Sequence, residues 1–422
     1  MIKKQNKQDA PTFYYGWYIV LIGAMGLFFS GPGQTYSNAV FIDYYILDFN
    51  WERSLVSGIY SGATLTAGFL LFLVGSSIDK FGQRTVSLTV SILLAIACFW
   101  NSIVVNPFML FIGFFLIRFL GQGSMTLVSN TLIPQWFIEK RGRAFSFMMI
   151  GGFLSSTLFP PLNAWLISSY GWENAWRILG ATIIIFFVPI SFFFMKNKPE
   201  DIGLLPDNKK IEINEGEHTP KLKNDISWTL KETMRTRQFW LLLLCIGIPS
   251  MLNTGLTFHL FSILSGSGLS LTAAAFILSL MAMVGFPVTM LAGFILEKVK
   301  IHYMFAFVFF GQFIFIITLY FTDSFVWAIA FGILWGFIGG IERIVVSMVF
   351  PDYFGRQHIG SIKGVATTVT VSASAFGPLP FGIAYDWFGG YQEILIFMMV
   401  FPALGIIASL MSPKPYKKES SL

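Results

Sequence analysis

Charge is what this chain has least of. Only 12% of its 422 residues are Asp, Glu, Lys or Arg, about half the share of an ordinary soluble domain. So few charges cannot coat a water-exposed surface of this length, which excludes a soluble protein of two or three domains. Cysteine is almost missing: Cys98 and Cys245 are the two present, both inside apolar runs. That leaves neither a disulfide framework nor a thiolate metal site. No loop carries a metal-ligand cluster, a phosphate-cradling loop or a nucleophile–base pair, so the chain does not read as an enzyme and no cofactor or metal is expected.

What is abundant is apolar surface. Hydrophobic residues make up 55%, phenylalanine alone supplies 47 positions, and mean hydropathy is +0.68. Windows of about 20 apolar residues, long enough to cross a bilayer, predict twelve helices. They fall near Trp17–Phe41, Ser54–Ile78, Thr85–Val104, Phe108–Ile133, Ala144–Ser168, Trp176–Met195, Phe239–Leu264, Thr272–Leu296, Ile301–Phe321, Phe325–Val349, Val365–Tyr385 and Ile394–Met411. An all-α, twelve-span membrane protein is the expected fold class.

The excess of six positive charges belongs to topology, and nucleic acid is not expected as a partner. Of the 28 Lys and Arg residues, 24 fall in the tails, the central stretch and the loops on one side. Arg53 and Arg177 fall on the other, and Arg118 and Arg343 lie inside spans. Cytoplasmic loops collect Lys and Arg, so both termini are expected in the cytoplasm, with the cell membrane as the location. The Lys-bearing leader shows no small-residue cleavage site, so the first span reads as retained rather than as a signal peptide. These boundaries predict a tail at 1–16, a six-helix bundle at 17–195, a cytoplasmic loop at 196–237, a second bundle at 238–412 and a tail at 413–422.

The two bundles repeat. Gly75 and Gly293, Phe137 and Phe354, Pro160 and Pro378, and Gly171 and Gly389 are each separated by 217 or 218 residues. A constant offset with the same orientation means two parallel six-helix repeats.

Between the second and third spans runs Gly75-Ser-Ser-Ile-Asp79-Lys80-Phe-Gly82-Gln-Arg84. Together with the parallel repeats, this motif resembles the major facilitator superfamily. Gly16-Trp17, Trp51-Glu-Arg53-Ser54, Trp136-Phe137, Lys140-Arg141-Gly-Arg143-Ala144, Lys198-Pro199-Glu200-Asp201 through Pro206-Asp207, and Asp352-Tyr-Phe354-Gly355-Arg356 resemble its monocarboxylate-porter and oxalate/formate-antiporter branch. The resemblance implies a secondary transporter that rocks two halves about a midplane site.

Asp79, with Lys80, Gly82 and Arg84 in a tight turn, reads as a cytoplasmic gate. Its carboxylate can pair with cations and helix ends across the gap when the transporter faces outward, and Glu297-Lys298 is its counterpart after the eighth span. The plainer alternative is that these charges anchor helix ends at the headgroups. Gly332, Gly336 and Gly340, and likewise Gly58 and Gly62, are spaced for close helix approach. Pro32 and the pair Pro160-Pro161 are expected to kink or break their helices.

Charge inside a bilayer is costly, so each instance is a candidate site. Arg118, in Arg118-Phe-Leu-Gly121-Gln122-Gly123, resembles the superfamily's fourth-helix arginine motif. Gln122, Met125 and Ser129 lie within about 40° of it on a helical wheel. It is either a bidentate carboxylate binder lining a cavity or an arginine buried against backbone carbonyls. Glu342 and Arg343 in the tenth span read as a proton-coupling carboxylate and a substrate anchor, or as an interhelical ion-pair set. His259 can carry a coupled proton or serve as an interhelical donor. Tyr36 and Asn38, near the Gly-Pro-Gly break, and Thr370, on a stripe with Lys363, Thr367 and Ser374, complete the candidate substrate contacts. Lys363 itself is expected near the cytoplasmic end. No cation lies within Leu271–Leu296, so a dianion such as oxalate is not expected.

The expected partner is a small organic anion, a monocarboxylate, moved with a proton or against a counter-substrate by a monomer in the bilayer. Transport or efflux of a neutral or amphiphilic compound is the alternative, favoured by 17% aromatic content. A non-transporting receptor is disfavoured because the central loop carries no recognisable signalling domain.

Overall fold

The computed structural model describes residues 14–51, 53–208, 227–269 and 271–417. Lys3, Lys4, Lys7, Lys209, Lys210, Lys221, Lys223 and Lys418 lie outside these residues, and Arg53 is described only in its backbone. No strand occurs among the described residues.

Proline and glycine decide where the apolar runs divide. Helix α1 (Gly16–Phe29) stops at Gly31-Pro32-Gly33, one tight 3-10 turn, and the chain resumes as α2 (Thr35–Phe49). Proline lacks an N–H and its ring obstructs the preceding turn, so the first span breaks where expected. It runs on to Phe49, past the predicted end at Phe41. Helix α3 (Arg53–Asn101) holds two successive spans, divided at Gly82 with φ 81° and ψ 159°. Only glycine adopts that backbone freely, and a Cβ there would strike the Asn197 side chain.

The fourth span is α4 (Pro107–Ile117), a widened π turn at Arg118–Met125, and α5 (Thr126–Trp136). Helix α6 (Arg141–Tyr170) follows, then α7 (Trp172–Thr182) and α8 (Val188–Phe194), joined by a second π turn, and the short α9 (Leu230–Met234). The second half comprises α10 (Arg237–Gly266), α11 (Leu271–Leu296), α12 (Ile301–Tyr320), α13 (Phe325–Phe354), α14 (Ile359–Ala375) with α15 (Pro378–Phe388), and α16 (Gln392–Met398) with α17 (Val400–Leu410). Among the described residues ten stretches are long and apolar enough to cross a membrane. One of them, Gly58–Asn101, contains two spans, and α14 with α15 supplies another, which makes twelve. The break expected at Pro160-Pro161 is absent: α6 is one helix from end to end. Inside a bundle, neighbouring groups can satisfy the carbonyls that proline frees.

The repeat is visible in packing. A side chain at Gly75 of α3 would collide with the Gly360 carbonyl on α14, and one at Gly293 of α11 would collide with Ser146 and the Gly142 carbonyl on α6. Glycines one repeat apart therefore do the same work, letting the halves approach to backbone contact in two symmetric pairings. Ser146 Oγ adds a hydrogen bond to the Thr289 carbonyl at 2.9 Å. Within the second half, Gly336 and Gly340 seat α13 on the backbone of α11 at Met281 and Gly285. The expectation fails for the other glycine pair. Among the described residues, a Cβ at Gly58 would meet nothing within 4 Å, and one at Gly62 only the Phe111 ring at 3.6 Å, because the packed face of this end of α3 is the one that carries Val56 and Tyr60.

Candidate functional site

Arg118 belongs to the first half's own architecture. The π turn that begins at Arg118 packs Gly121 against Gly33 of the Gly-Pro-Gly break. This draws the guanidinium onto that break. Nε donates to Thr64 Oγ1 at 3.1 Å, and Nη1 donates to the Gly33 carbonyl and to Thr35 Oγ1, both at 3.1 Å. The group also stacks over Tyr60 at 5.0 Å and is only 6% exposed. The geometry is that of the backbone-buried alternative: the arginine supplies donors to a broken helix whose carbonyls need them. Asn38 is fully buried and donates to the carbonyls of Pro32 and Gln34, and Tyr36 donates to Ser155 Oγ at 2.7 Å. Both residues brace the break. Gln122 is half-buried on the same turn.

Glu342 and Arg343 face different surroundings. Glu342 accepts hydrogen bonds from Asn253 Nδ2 on α10 at 3.0 Å and from Gln312 Nε2 on α12 at 3.0 Å. Trp335 Nε1 in turn holds Asn253 Oδ1 at 2.9 Å. The carboxylate thus sits in a cradle of neutral amides, not the ion-pair set the alternative reading envisaged. Asn253 and Gln312 were not among the sequence candidates, although amides inside apolar runs were the available signal. Arg343 is exposed although it lies deep in a 30-residue helix. It shares its face with Val346, Ser347 and Phe350, and Nη1 lies 3.7 Å from where a Cβ on Gly285 of α11 would stand. Among the described residues, no hydrogen bond or ion pair engages its guanidinium. His259 lies apart from this pair, stacked on Phe381 and 3.3 Å from Tyr391 Oη.

Lys363 stands in the first turns of α14, near the basic end as expected, but its side chain is not at the surface. It is 6% exposed, and Nζ donates to the Asn130 carbonyl in the first half at 3.2 Å and to the Ser347 carbonyl in the second at 2.9 Å. These two carbonyls, one from each half, hold it in the seam between the halves. Thr370 lines the same small cavity.

At the end where the basic loops gather, the halves are joined. Asp79 accepts from the backbone N–H groups of Gly360 at 2.9 Å and Ser361 at 2.7 Å, capping the start of α14. Glu297 accepts from Arg143 Nε at 2.8 Å and from its backbone N–H at 3.1 Å. Asp79 therefore meets a helix end and Glu297 meets a cation. The neighbouring candidates do not cross the gap. Arg84 donates to the Phe192 carbonyl at 2.6 Å within its own half, Lys80 lies over Phe81, and Lys298 is exposed. Further cross-links come from Arg141 to the Pro351 carbonyl at 2.9 Å and from Gln135 to the Arg356 carbonyl at 2.7 Å. Among the described residues no group of three His, Cys, Asp or Glu side chains could hold a metal ion.

Twelve spans in two parallel repeats, locked together at one end around a polar seam, define a multi-pass membrane transporter. The chain belongs to the Major Facilitator Superfamily, whose family model matches residues 23–378. The Aspyridones efflux protein apdF of Emericella nidulans is 25% identical over 90% of this chain and 74% of its own length. Monocarboxylate transporter 12-B of Danio rerio is 23% identical over 86% of this chain and 80% of its own. Monocarboxylate transporter 9 of Mus musculus is 26% identical over 41% of this chain, a stretch that spans only 34% of the mouse protein. Among solved structures, the proton:xylose symporter XylE superposes with a TM-score of 0.72 at 15% identity, covering 94% of this chain and 95% of that one. That likeness concerns the fold.

Proposed function

We propose that this protein carries a small organic anion, a monocarboxylate, across the cell membrane by alternating access, with a proton as the coupling ion. Arg343 carries the reading. A guanidinium near mid-span, open to the seam and without a protein partner among the described residues, is costly unless it serves an anion, and its planar fork suits a carboxylate. Monocarboxylate transporters among the relatives agree with that chemistry.

Glu342 is the proton-coupling group of this proposal, since its amide cradle is neutral and its neighbour in sequence is the anchor. Arg118, with Asn38 and Tyr36, holds the first helix's break in shape, and Gln122 and Thr370 offer polar contacts along the path. The two bundles, 17–195 and 238–412, rock as units. The Asp79 and Glu297 contacts close the basic end, which the loop charges place in the cytoplasm, and the protein acts as a monomer.

The test offers labelled lactate, pyruvate and formate to proteoliposomes with and without an imposed pH gradient. The expected result is gradient-driven accumulation that Arg343→Gln abolishes. Unchanged uptake in Arg343→Gln would refute the anion reading. The second reading, transport of an amphiphilic compound, draws on the fungal efflux relative and on Phe153, which stacks on Phe286 across the seam at 4.2 Å. A pH-gradient response with no carboxylate accumulated would favour it.

A further inference from the structure

Lys363 poses a question that the Arg343 site does not answer. It is 6% exposed, and its two hydrogen bonds go to neutral backbone carbonyls. Its remaining neighbours of note are the Phe145 ring, 4.9 Å from Nζ, and the like charge of Arg141. No carboxylate of the described residues lies within ion-pair distance of it. A buried ammonium without a counter-charge is expensive. Dipoles and a ring face offset only part of this cost.

The space beside it is built for what is missing. A cavity of about 90 Å³ opens where Lys363 meets Thr126, Asn130, Ser347, Thr367 and Thr370. At about 30 Å³ per water, it has room for two or three waters or one small carboxylate. Thr126 and Asn130 come from the first half and the other four from the second, so the cavity exists only while the halves are together. Ser347 ties the cavity to the main site: its carbonyl holds Lys363, and its hydroxyl donates to the Arg343 carbonyl one turn away at 2.7 Å. The α13 helix runs toward the basic end, so the Lys363 cavity lies one step closer to that end than Arg343 does.

We propose that the Lys363 cavity is a second, inner anion subsite, taking the carboxylate of a small organic acid on its way between Arg343 and the basic end. In this state Nζ is held by one carbonyl from each half. Two of the three Nζ protons go to these carbonyls and the third is left for an anion in the cavity; when the halves part at the basic end, the Asn130 side of the cavity withdraws and the anion is released. The hydroxyls of Thr367 and Thr370, now bonded to carbonyls of their own helix, line the path. This inference rests on the organic-anion reading above, and the test separates the two.

Equilibrium binding of radiolabelled formate, the smallest carboxylate, is measured on the purified full-length protein, and formate uptake is measured in proteoliposomes. Wild type is expected to bind two formates per chain. Lys363→Met removes one, Lys363→Arg keeps both, and Arg343→Gln removes the other. Loss of the ammonium is expected to weaken the inner site about tenfold or more, the scale of one charge-assisted hydrogen bond. If Lys363→Met does not fold, Thr367→Val serves in its place, weakening the inner site and leaving the Arg343 site as it is. Unchanged stoichiometry and affinity in both variants overturn the subsite and leave the transport reading intact. Formate bound at the inner site, with no carboxylate transported by wild type, overturns the transport reading and leaves the subsite standing.

Discussion

Arg143 and Glu297 meet at 2.8 Å across the two halves, and the same carboxylate accepts the arginine's own backbone N–H. One residue thus contributes both a charge and a helix end to a single acceptor. Together with Asp79 capping α14, this pair holds the basic end shut. Glu297→Gln is expected to shift the protein toward opening at that end by about fivefold, roughly 1 kcal/mol, the upper end for an ion pair with one partly exposed partner. Thiol-reagent access to Ser361→Cys, which rises as the end opens, measures it. The native Cys98 and Cys245 are buried and do not interfere.

Asp79→Asn removes the charge that caps two backbone N–H groups. An amide can still accept one hydrogen bond, so the closed end weakens without losing the fold. The same labelling assay is expected to show increased access, with the melting temperature in detergent little changed. A large drop in melting temperature would contradict the gating role.

Arg118→Gln strips donors from Gly33, Thr35 and Thr64. Buried acceptors left unpaired cost roughly 1–3 kcal/mol, so this variant is expected to melt earlier, while Arg343→Gln, open to the seam, is expected to melt like wild type but fail to transport. Thermal unfolding in detergent beside uptake in proteoliposomes separates the two arginines. Equal loss of stability in both would mean that Arg343, like Arg118, holds the fold.

Glu232 and Lys417 clasp the carboxyl-terminal tail to the chain before α10. The Lys417 ammonium donates to Glu232 at 2.9 Å and, with the backbone at Thr229, holds its carboxyl down at about 2. A depressed carboxylate stabilises its contact above its ordinary range, near about 4, and loses it as pH falls toward 2. The tail is therefore expected to stay docked through mildly acidic pH. Fluorescence of a dye on Tyr416→Cys, quenched by Trp228 beneath Lys417, should hold steady over that range and rise in Lys417→Met.

The number of spans, their repeat, the break at Pro32 and the turn at Gly82 were legible without coordinates, because each follows from local rules of bilayer length, ring geometry and positive φ. The sequence also related Asp79 to Glu297 by one repeat offset, and each carboxylate reaches a partner in the other half. Which intramembrane arginine lacks a partner among the described residues is a different kind of fact. Arg118 and Arg343 look alike in sequence, each a lone arginine in an apolar run. Only the tertiary structure decided between them, by setting the Gly33 carbonyl and two threonines against one and an open seam against the other. The same holds for Lys363, whose depth depends on two carbonyls brought from 16 and 233 residues away. Helical periodicity places a side chain on a face, but the partner that satisfies its charge comes from the packing of distant helices.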